Sequence, residues 1–205
     1  DTELEVMAHV GIALAALNLG DLNTSRNHAE LGLSVADGDT DLGARLMGRS
    51  PLVSLILLRG WVTLEEGDIN AAEALFREAL PLAAARNERE HHLLLRLLLI
   101  KVACERGDLD TVVDDFERVS QAVNESGNTL LVVAAGRVSA AVQLSVGEWE
   151  KAIHAIKQAS QTLKDRGTPL IELAPLEVCL AHATLGAGEP KQARLLAQKA
   201  IQSSR

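Results

Sequence analysis

The sequence predicts an all-α protein built from about five helix-turn-helix units. A glycine followed by an acidic residue recurs at intervals of 47, 40, 40 and 41 residues. The five turns are Gly20-Asp21, Gly67-Asp68, Gly107-Asp108, Gly147-Glu148 and Gly188-Glu189. The composition is 47% hydrophobic and only 2% aromatic, with no tyrosine, which suits close-packed aliphatic helices better than strands. A period of this size is typical of an α-solenoid, whose stacked repeats form a binding surface.

Small residues stand at fixed distances from these turns. Seven positions before each turn glycine lie Ala13, Gly60, Ile100, Ala140 and Ala181. Five positions after it lie Ser25, Ala72, Val112, Ala152 and Ala193, and twelve positions after it lie Gly32, Ala79, Val119, Ala159 and Ala200. Because these columns fall one or two helical turns apart on one face, we expect antiparallel helices to approach closely along them.

The turns divide the chain into ten predicted helices. The first helix of each pair is expected near 3–19, 52–66, 89–106, 129–146 and 170–186, and the second near 22–36, 69–86, 109–125, 149–165 and 190–203. The units are about 1–37, 50–88, 89–127, 128–167 and 168–205, with an irregular acidic loop at 37–50. We expect a single repeat domain over 1–205. Since the chain begins Asp1-Thr2-Glu3, we also expect it to be a fragment of a larger protein.

Local signals support several helix ends. Ser50 before Pro51, like Thr168 before Pro169, fits an N-cap residue followed by proline in the first turn. Gly127 suits the left-handed residue that ends a helix, and Gly167 is predicted to do the same.

The small columns and Gly-Asp turns resemble the tetratricopeptide repeat (TPR) family over nearly all of the chain. The resemblance is clearest around Gly60, Gly67, Ala72 and Ala79, and around Ala140, Gly147, Ala152 and Ala159. Ile100, Val112 and Val119 are larger than the family pattern, and Ser25 and Gly32 also depart from it. The resemblance implies a right-handed α-solenoid and a non-enzymatic protein-interaction or scaffolding role.

The period near 40 is longer than the common repeat of about 34 residues, so each helix is about one turn longer. Such long units resemble the helical tails of bacterial signalling ATPases, including LuxR-type regulators and adenylate-cyclase-linked ATPases. The stretch from Leu46 to Pro51, followed by that from Leu57 to Gly60, is similar to a segment of the cyclase-linked proteins. This likeness implies a bacterial signalling or transcriptional-regulator context.

Charge and hydropathy exclude several classes of partner. A net charge of −8 and a pI near 5.3 disfavour direct nucleic-acid binding, which requires clustered cations. The most apolar stretch, Leu93 to Val102, is interrupted by Arg96 and is shorter than the roughly 20 residues of a membrane span. Cys104 and Cys179 lack a partner motif, which favours a reduced, cytoplasmic setting.

The chain offers little evidence for a metal or catalytic site. Asp37, Asp39 and Asp41 alternate, but the glycine and glutamate that complete a calcium loop are replaced by Leu42 and Gly48. We interpret them as a solvated loop in which Asp41 caps a short helix. His91-His92 are interpreted as exposed residues at a helix start, because adjacent histidines diverge by about 100°. We predict no cofactor, no metal and no catalytic residue.

The TPR resemblance implies a partner-binding groove lined by the first helices, at positions thirteen, ten, six and two before each turn glycine. Transferred to this chain, the groove residues are Met7, Val10, Leu14, Asn18, Ser54, Leu57, Trp61, Glu65, Leu97, Lys101, Glu105, Arg137, Ala141 and His182. The cations Lys101, Arg137 and His182 either receive a carboxylate-bearing partner or pair with Glu105 and other acids of the chain. Trp61 either anchors the partner or packs on the next helix.

Three functions remain open on sequence alone. The first is an interaction module that binds a protein or peptide partner in this groove. The second is a regulatory domain that binds a small-molecule effector and controls an attached ATPase, cyclase or DNA-binding domain. The third is a self-association module, forming a homodimer through an exposed terminal repeat. The stripe of Val6, Val10, Leu14 and Leu17 on the first helix is expected to pair either with another chain or with a repeat that precedes it in a larger protein.

Overall fold

The computed structural model describes residues 1–108, 112–165 and 173–203, which form eleven helices and no strand. In chain order the helices are α1 (Thr2–Asn18), α2 (Leu22–Ala36), α3 (Ala44–Met47), α4 (Pro51–Glu65), α5 (Ile69–Ala85), α6 (Arg89–Arg106), α7 (Val112–Ser126), α8 (Thr129–Ser145), α9 (Trp149–Asp165), α10 (Leu173–Gly186) and α11 (Pro190–Ser203). The predicted all-α class is confirmed, and the long helices begin and end within a few residues of the predicted positions.

The helices form two compact units, Asp1–Val102 and Ala103–Arg205. In the first unit, α1 packs against α2, α4 packs against α5, and α4 also contacts both helices of the first pair. In the second unit, α8 packs against α9, α10 packs against α11, and α10 also contacts both α8 and α9. Each unit is therefore a stack of antiparallel helix pairs, and the boundary falls inside the continuous helix α6.

The Gly20-Asp21 turn ends α1 and begins α2, and the Gly67-Asp68 turn does the same for α4 and α5. Gly20 has a φ of 77°, which only glycine adopts without strain. Its N–H donates to Leu17, while the Asp21 N–H donates to Ala16 at 2.9 Å, the pattern of a Schellman C-cap. The Asp21 carboxylate then accepts from the Thr24 N–H at 3.0 Å as the N-cap of α2. Because one dipeptide performs both tasks, it recurs with the period of the fold.

All fifteen residues of the three small columns are buried, as the sequence predicts. At Gly60, an added Cβ would lie 2.6 Å from Cε1 of the fully buried Phe76. At Gly32, an added Cβ would lie 2.8 Å from a methyl carbon of Leu55. The columns therefore set how closely helices pack, both within a pair and between neighbouring pairs.

The acidic segment 37–50 contains a short helix, as the sequence predicts, but Asp41 does not cap it. It contains the one-turn helix α3, whose N-cap is Gly43 with no side-chain capping bond. The Asp41 carboxylate instead pairs with Arg86, so its predicted capping role is wrong. Ser50 does cap α4 ahead of Pro51, as predicted.

At the other predicted ends, Gly127 has the expected positive φ after α7. The predicted signals at Gly167 and at Thr168-Pro169 lie outside the described residues.

Candidate functional site

In the first unit, a tryptophan and a glutamate of α4 and a lysine of α6 form a connected group of side chains. The Trp61 indole N–H donates to Glu65 Oε1 at 3.3 Å, one helical turn further along α4. Lys101 Nζ of α6 lies 3.5 Å from the same oxygen. The indole is half-buried while Glu65 is exposed. We call Trp61, Glu65 and Lys101 the Trp61 surface.

The repeat register explains why these three side chains meet. Trp61 and Lys101 both stand six positions before their turn glycines, and Glu65 stands two before its own. Position six of α6 therefore contacts position two of α4 in this unit, and the groove assignment itself stays a prediction. Lys101 pairs with an acid of its own chain, which is the second of the two alternatives posed by the sequence, although the acid is Glu65 and not Glu105.

Helix α1 adds further groove residues to the first unit. Leu14 and Asn18 are exposed, whereas Met7 is half-buried and packs against the core. Leu14 and Asn18 are therefore the groove positions of α1 that a partner could reach.

Four predicted groove residues are buried in the structure. Val10 is 3% exposed and Leu57 lies with it in the same core cluster. Leu97 is fully buried, and Ser54 is 5% exposed with its hydroxyl beside His91. Their assignment as exposed groove positions is wrong, because neighbouring helices cover these positions of the register.

In the second unit, the predicted groove residues are more open. Glu105 and His182 are exposed, and Arg137 and Ala141 are half-buried. Arg137 makes an interaction within the chain. Whether any of these residues contacts a partner stays a prediction.

A buried polar cluster in the first unit was missed at the sequence level. Glu88, which precedes α6, accepts from the Ser50 N–H at 2.6 Å and from Arg86 Nε at 2.9 Å. Its other oxygen lies 2.6 Å from His91 Nδ1, and His91 Nε2 lies 3.2 Å from the Ser54 hydroxyl. The predicted exposure of His91 is wrong, since the ring is nearly enclosed by α4 and α6. The spacing of Glu88 and His91, one helical turn apart, was the available signal.

Burial and hydrogen bonding set the charges in this cluster. Burial lowers the pKa of His91 below its ordinary 6.5, and the hydrogen bond to Glu88 only partly opposes this. Burial alone would raise the pKa of Glu88, but hydrogen bonds from His91, Arg86 and the Ser50 amide outweigh it and hold that pKa below 4.5. At neutral pH the cluster therefore holds a neutral imidazole beside an ionised carboxylate.

The order Ser54, His91, Glu88 has the connectivity of a hydrolytic triad, but its setting differs. The Ser54 hydroxyl is also 3.0 Å from the Ser50 carbonyl oxygen within its own helix, and Ser54 and His91 are both buried. A nucleophile must be reachable by its substrate. We therefore interpret the cluster as a structural hydrogen-bond network that holds segment 37–50 against α4 and α6.

The second unit carries a surface depression of about 420 Å³ beside Trp149. It is lined by Gly147, Glu148, Trp149, Glu150, Lys151, Gly186 and Ala187. Trp149 occupies the space above Gly186, where an added Cβ would lie 2.4 Å from the indole. This tryptophan is therefore committed to packing. Trp61 also packs against the core of its unit with part of its ring.

Comparison with known proteins shows the fold. The chain is similar to crystal structures of nearly identical TPR-like repeats from a Podosopora anserina protein designated a kinesin light chain and of a single-substitution variant of it. Both superpose with a TM-score of 0.57 at 14% identity, covering 99% of this chain and 96% of the other. No protein-family model matches the sequence, and no curated protein does. The TPR-like repeat fold is confirmed on structure.

None of the described helices has the length and apolarity needed to cross a membrane. Within the described ranges, no three metal-ligating side chains come together.

Proposed function

We propose that the chain is a protein-interaction module that binds a peptide or helix through the Trp61 surface. The observation that carries the proposal is the half-buried indole of Trp61, held by Glu65, which Lys101 also contacts. An aromatic side chain fixed in place before binding loses little conformational entropy when a partner covers it. Tryptophan residues of this kind dominate the energetics of many interfaces.

The chemistry of the surface indicates what the partner presents. The exposed part of the indole suits an apolar side chain, and Leu14 of α1 offers further apolar area in the same unit. Glu65 offers a carboxylate that is more than a third exposed, while Lys101 is largely covered. We therefore expect an apolar anchor flanked by a hydrogen-bond donor or a cation. The TPR-like neighbours support an interaction role of this general kind.

The test is selection of binding peptides from a random display library against the intact chain, followed by affinity measurements on variants. We expect Trp61→Ala to weaken binding by about tenfold or more, as is typical when a central aromatic is truncated. Lys101→Glu should weaken binding less, because this charge already pairs with Glu65. Arg137→Glu tests separately whether the second unit takes part.

Two variants of similar chemistry away from the surface serve as controls. Leu31→Ala removes an exposed apolar side chain from α2, and Arg118→Glu reverses an exposed charge on α7. Both should bind as the unchanged chain does, and circular dichroism should show equal helicity for all variants. Selected peptides that bind Trp61→Ala with full affinity would place the binding surface elsewhere.

A further inference from the structure

The stripe of α1 that the sequence offers to another chain or to a preceding repeat is mostly covered. Val6 and Val10 are buried in the core, and Leu17 packs against the same core. That expectation is therefore wrong for Val6 and Val10. The side of α1 that faces α2 carries a different feature, a contact between two histidine side chains.

The rings of His9 in α1 and His28 in α2 meet through the same kind of nitrogen atom. His9 Nδ1 lies 3.0 Å from His28 Nδ1. The ring centroids are 5.1 Å apart, and the ring planes are tilted by 41°. Both residues are half-buried. In the sequence they stand nineteen positions apart, so only the antiparallel packing of α1 on α2 brings the two nitrogens together.

The helix backbones that carry the two rings are held close together on both sides of the contact. Gly32 lies one turn after His28, and a Cβ added there would be 2.9 Å from His9 Cβ. Ser25 lies one turn before His28, and its hydroxyl donates to the Ala13 carbonyl oxygen at 2.8 Å. Ser25 and Gly32 are both buried. The packing of the helices therefore fixes how far apart the two rings lie.

The fold does not require histidine at these two positions, which lie eleven before and eight after the turn glycine of the pair. At the same positions, α4 and α5 carry Ile56 and Leu75, which are buried or packed against the core. Helices α8 and α9 carry Gly136 and Ala155 there. Apolar or small residues thus suffice for packing, and the meeting of two imidazoles needs another explanation.

The separation of the two nitrogens fits two ligands of one metal ion. An imidazole nitrogen binds a metal ion at about 2.0–2.1 Å, so two such ligands lie about 2.9 Å apart at a right angle and about 3.3 Å apart at the tetrahedral angle. The observed 3.0 Å is closer to the right angle. Right angles between nitrogen and oxygen ligands are typical of tetragonal Cu²⁺ and Ni²⁺ sites.

Metal binding would change the tautomer of one ring. In the hydrogen bond, one Nδ1–H donates and the other Nδ1 accepts, whereas a metal ligand must be unprotonated. The donating ring must therefore carry its proton on Nε2 when the ion binds, which leaves both rings neutral. Within the described part of the chain, no group of three ligand side chains occurs. Water would thus fill the other positions around the ion.

We propose that His9 and His28 form a binding site for a divalent transition metal ion, Cu²⁺ or Ni²⁺, through their two Nδ1 atoms. The bound ion joins α1 to α2 and so stabilises the first helix pair, because it binds the folded arrangement of the two rings. The site shares no residue with the Trp61 surface, and it does not depend on the proposed binding of a peptide.

The experiment is calorimetric titration of the intact chain with Cu²⁺ and with Ni²⁺, combined with pulsed electron paramagnetic resonance of the Cu²⁺-loaded chain to count the bound imidazoles. His9→Gln and His28→Gln each remove one ligand. His154→Gln changes an exposed histidine of α9 and is the matched control. Circular dichroism checks that all variants keep the same helicity.

We expect the tightest site of the unchanged chain to hold one Cu²⁺ with two imidazoles, and the control to behave in the same way. Each ligand variant should bind the ion at least about tenfold more weakly, since even the loss of a partner behind a ligand costs that much. Added Cu²⁺ or Ni²⁺ should raise the melting temperature of the unchanged chain and of the control, but not that of the ligand variants.

Two results would overturn this proposal. If both ligand variants bind the ions as tightly as the unchanged chain, the metal lies elsewhere and the two rings form only a hydrogen bond. If the loaded, unchanged chain shows a single bound imidazole, the two rings do not share an ion. The second result needs no variant, so it stands even if a substitution disturbs the fold.

Discussion

At the scale of single residues, a buried histidine connects neighbouring parts of the first unit. His91 is enclosed between α4 and α6, where the Ser54 hydroxyl and the Glu88 carboxylate contact its two ring nitrogens. Arg49 and Glu90 are the other charged groups close enough to influence it. The ring therefore joins two neighbouring helix pairs through hydrogen bonds, and its charge state affects both.

This position predicts a loss of stability in acid. Because burial lowers the pKa of His91 below 6.5, the unfolded chain takes up a proton before the folded chain does. The free energy of unfolding should therefore fall as pH drops below 6.5. A second loss of stability should begin below pH 4.5. The fold lowers the pKa of Glu88, so in this range Glu88 takes up a proton in the unfolded chain before it does so in the folded chain. Urea unfolding at a series of pH values measures both effects.

The variant His91→Gln isolates the first effect. It should lower the free energy of unfolding by about 1–3 kcal/mol at neutral pH, because buried hydrogen bonds are lost. Its free energy of unfolding should also depend less on pH between pH 6.5 and 4.5. His154→Gln changes an exposed histidine of α9 and should keep the wild-type profile. An unchanged slope in His91→Gln would mean that another group titrates in this range.

At the scale of helices, the small columns decide how closely two helices approach. Gly60 of α4 lies against the ring of Phe76 in α5, with Leu75 Cβ 3.2 Å from the position of an added Cβ. Phe76 is fully buried, so its ring has no room to move aside. By contrast, Gly11 of α1 is exposed, and an added Cβ there meets nothing.

Alanine substitution at the two glycines should have opposite effects on stability. Gly60→Ala overpacks the α4–α5 contact and should cost about 1–3 kcal/mol. Gly11→Ala only restricts the unfolded chain and should stabilise the helix by about 0.5–1 kcal/mol. Urea unfolding measures both. A stabilising Gly60→Ala would show that the two helices can separate at little cost.

At the scale of the whole molecule, the chain has two compact units joined within α6. The sequence predicts a single domain over 1–205, and a single domain requires that the two units unfold together. Stability in repeat proteins comes from the pairs themselves and from the interfaces between neighbours. A change deep in one unit should then affect both.

The two tryptophans allow a direct test, because Trp61 lies in the first unit and Trp149 in the second. The variants Trp149→Phe and Trp61→Phe each leave one fluorescent reporter. A single domain predicts that the two reporters give the same urea midpoint. Adding Leu55→Ala in the first unit, at an expected cost of about 2–5 kcal/mol, should lower both midpoints together. A shift confined to the Trp61 signal would contradict the single-domain prediction.

The fold could be predicted closely because its signals are local. Gly20 and Asp21 specify the end of one helix and the start of the next through backbone geometry and one side-chain hydrogen bond, which depend on residues only a few positions away. The buried columns could be predicted for a related reason, since repetition makes each small residue visible five times. Predictions that relied on one position alone, such as the Asp41 cap, were less secure.

The functional surfaces were harder to predict because exposure depends on distant residues. Val10 and Val178 occupy the same register position, yet Val10 is buried beneath the next helix pair and Val178 is exposed. In the structure Trp61 and Lys101 both contact Glu65, while their role in a groove stays a prediction. However, the sequence did not show that Lys101 pairs with Glu65 and not with Glu105.

The sequence by itself determined the helices, their turns and the small faces along which they pack, because these follow from backbone conformation and side-chain size within about 20 residues. Only the tertiary structure decided that His91 is enclosed and that Leu57 belongs to the core. Each of these depends on whether another helix pair covers the residue. Whether a residue is buried by a neighbouring helix pair depends on how the pairs stack, and the sequence of a single repeat unit does not encode this.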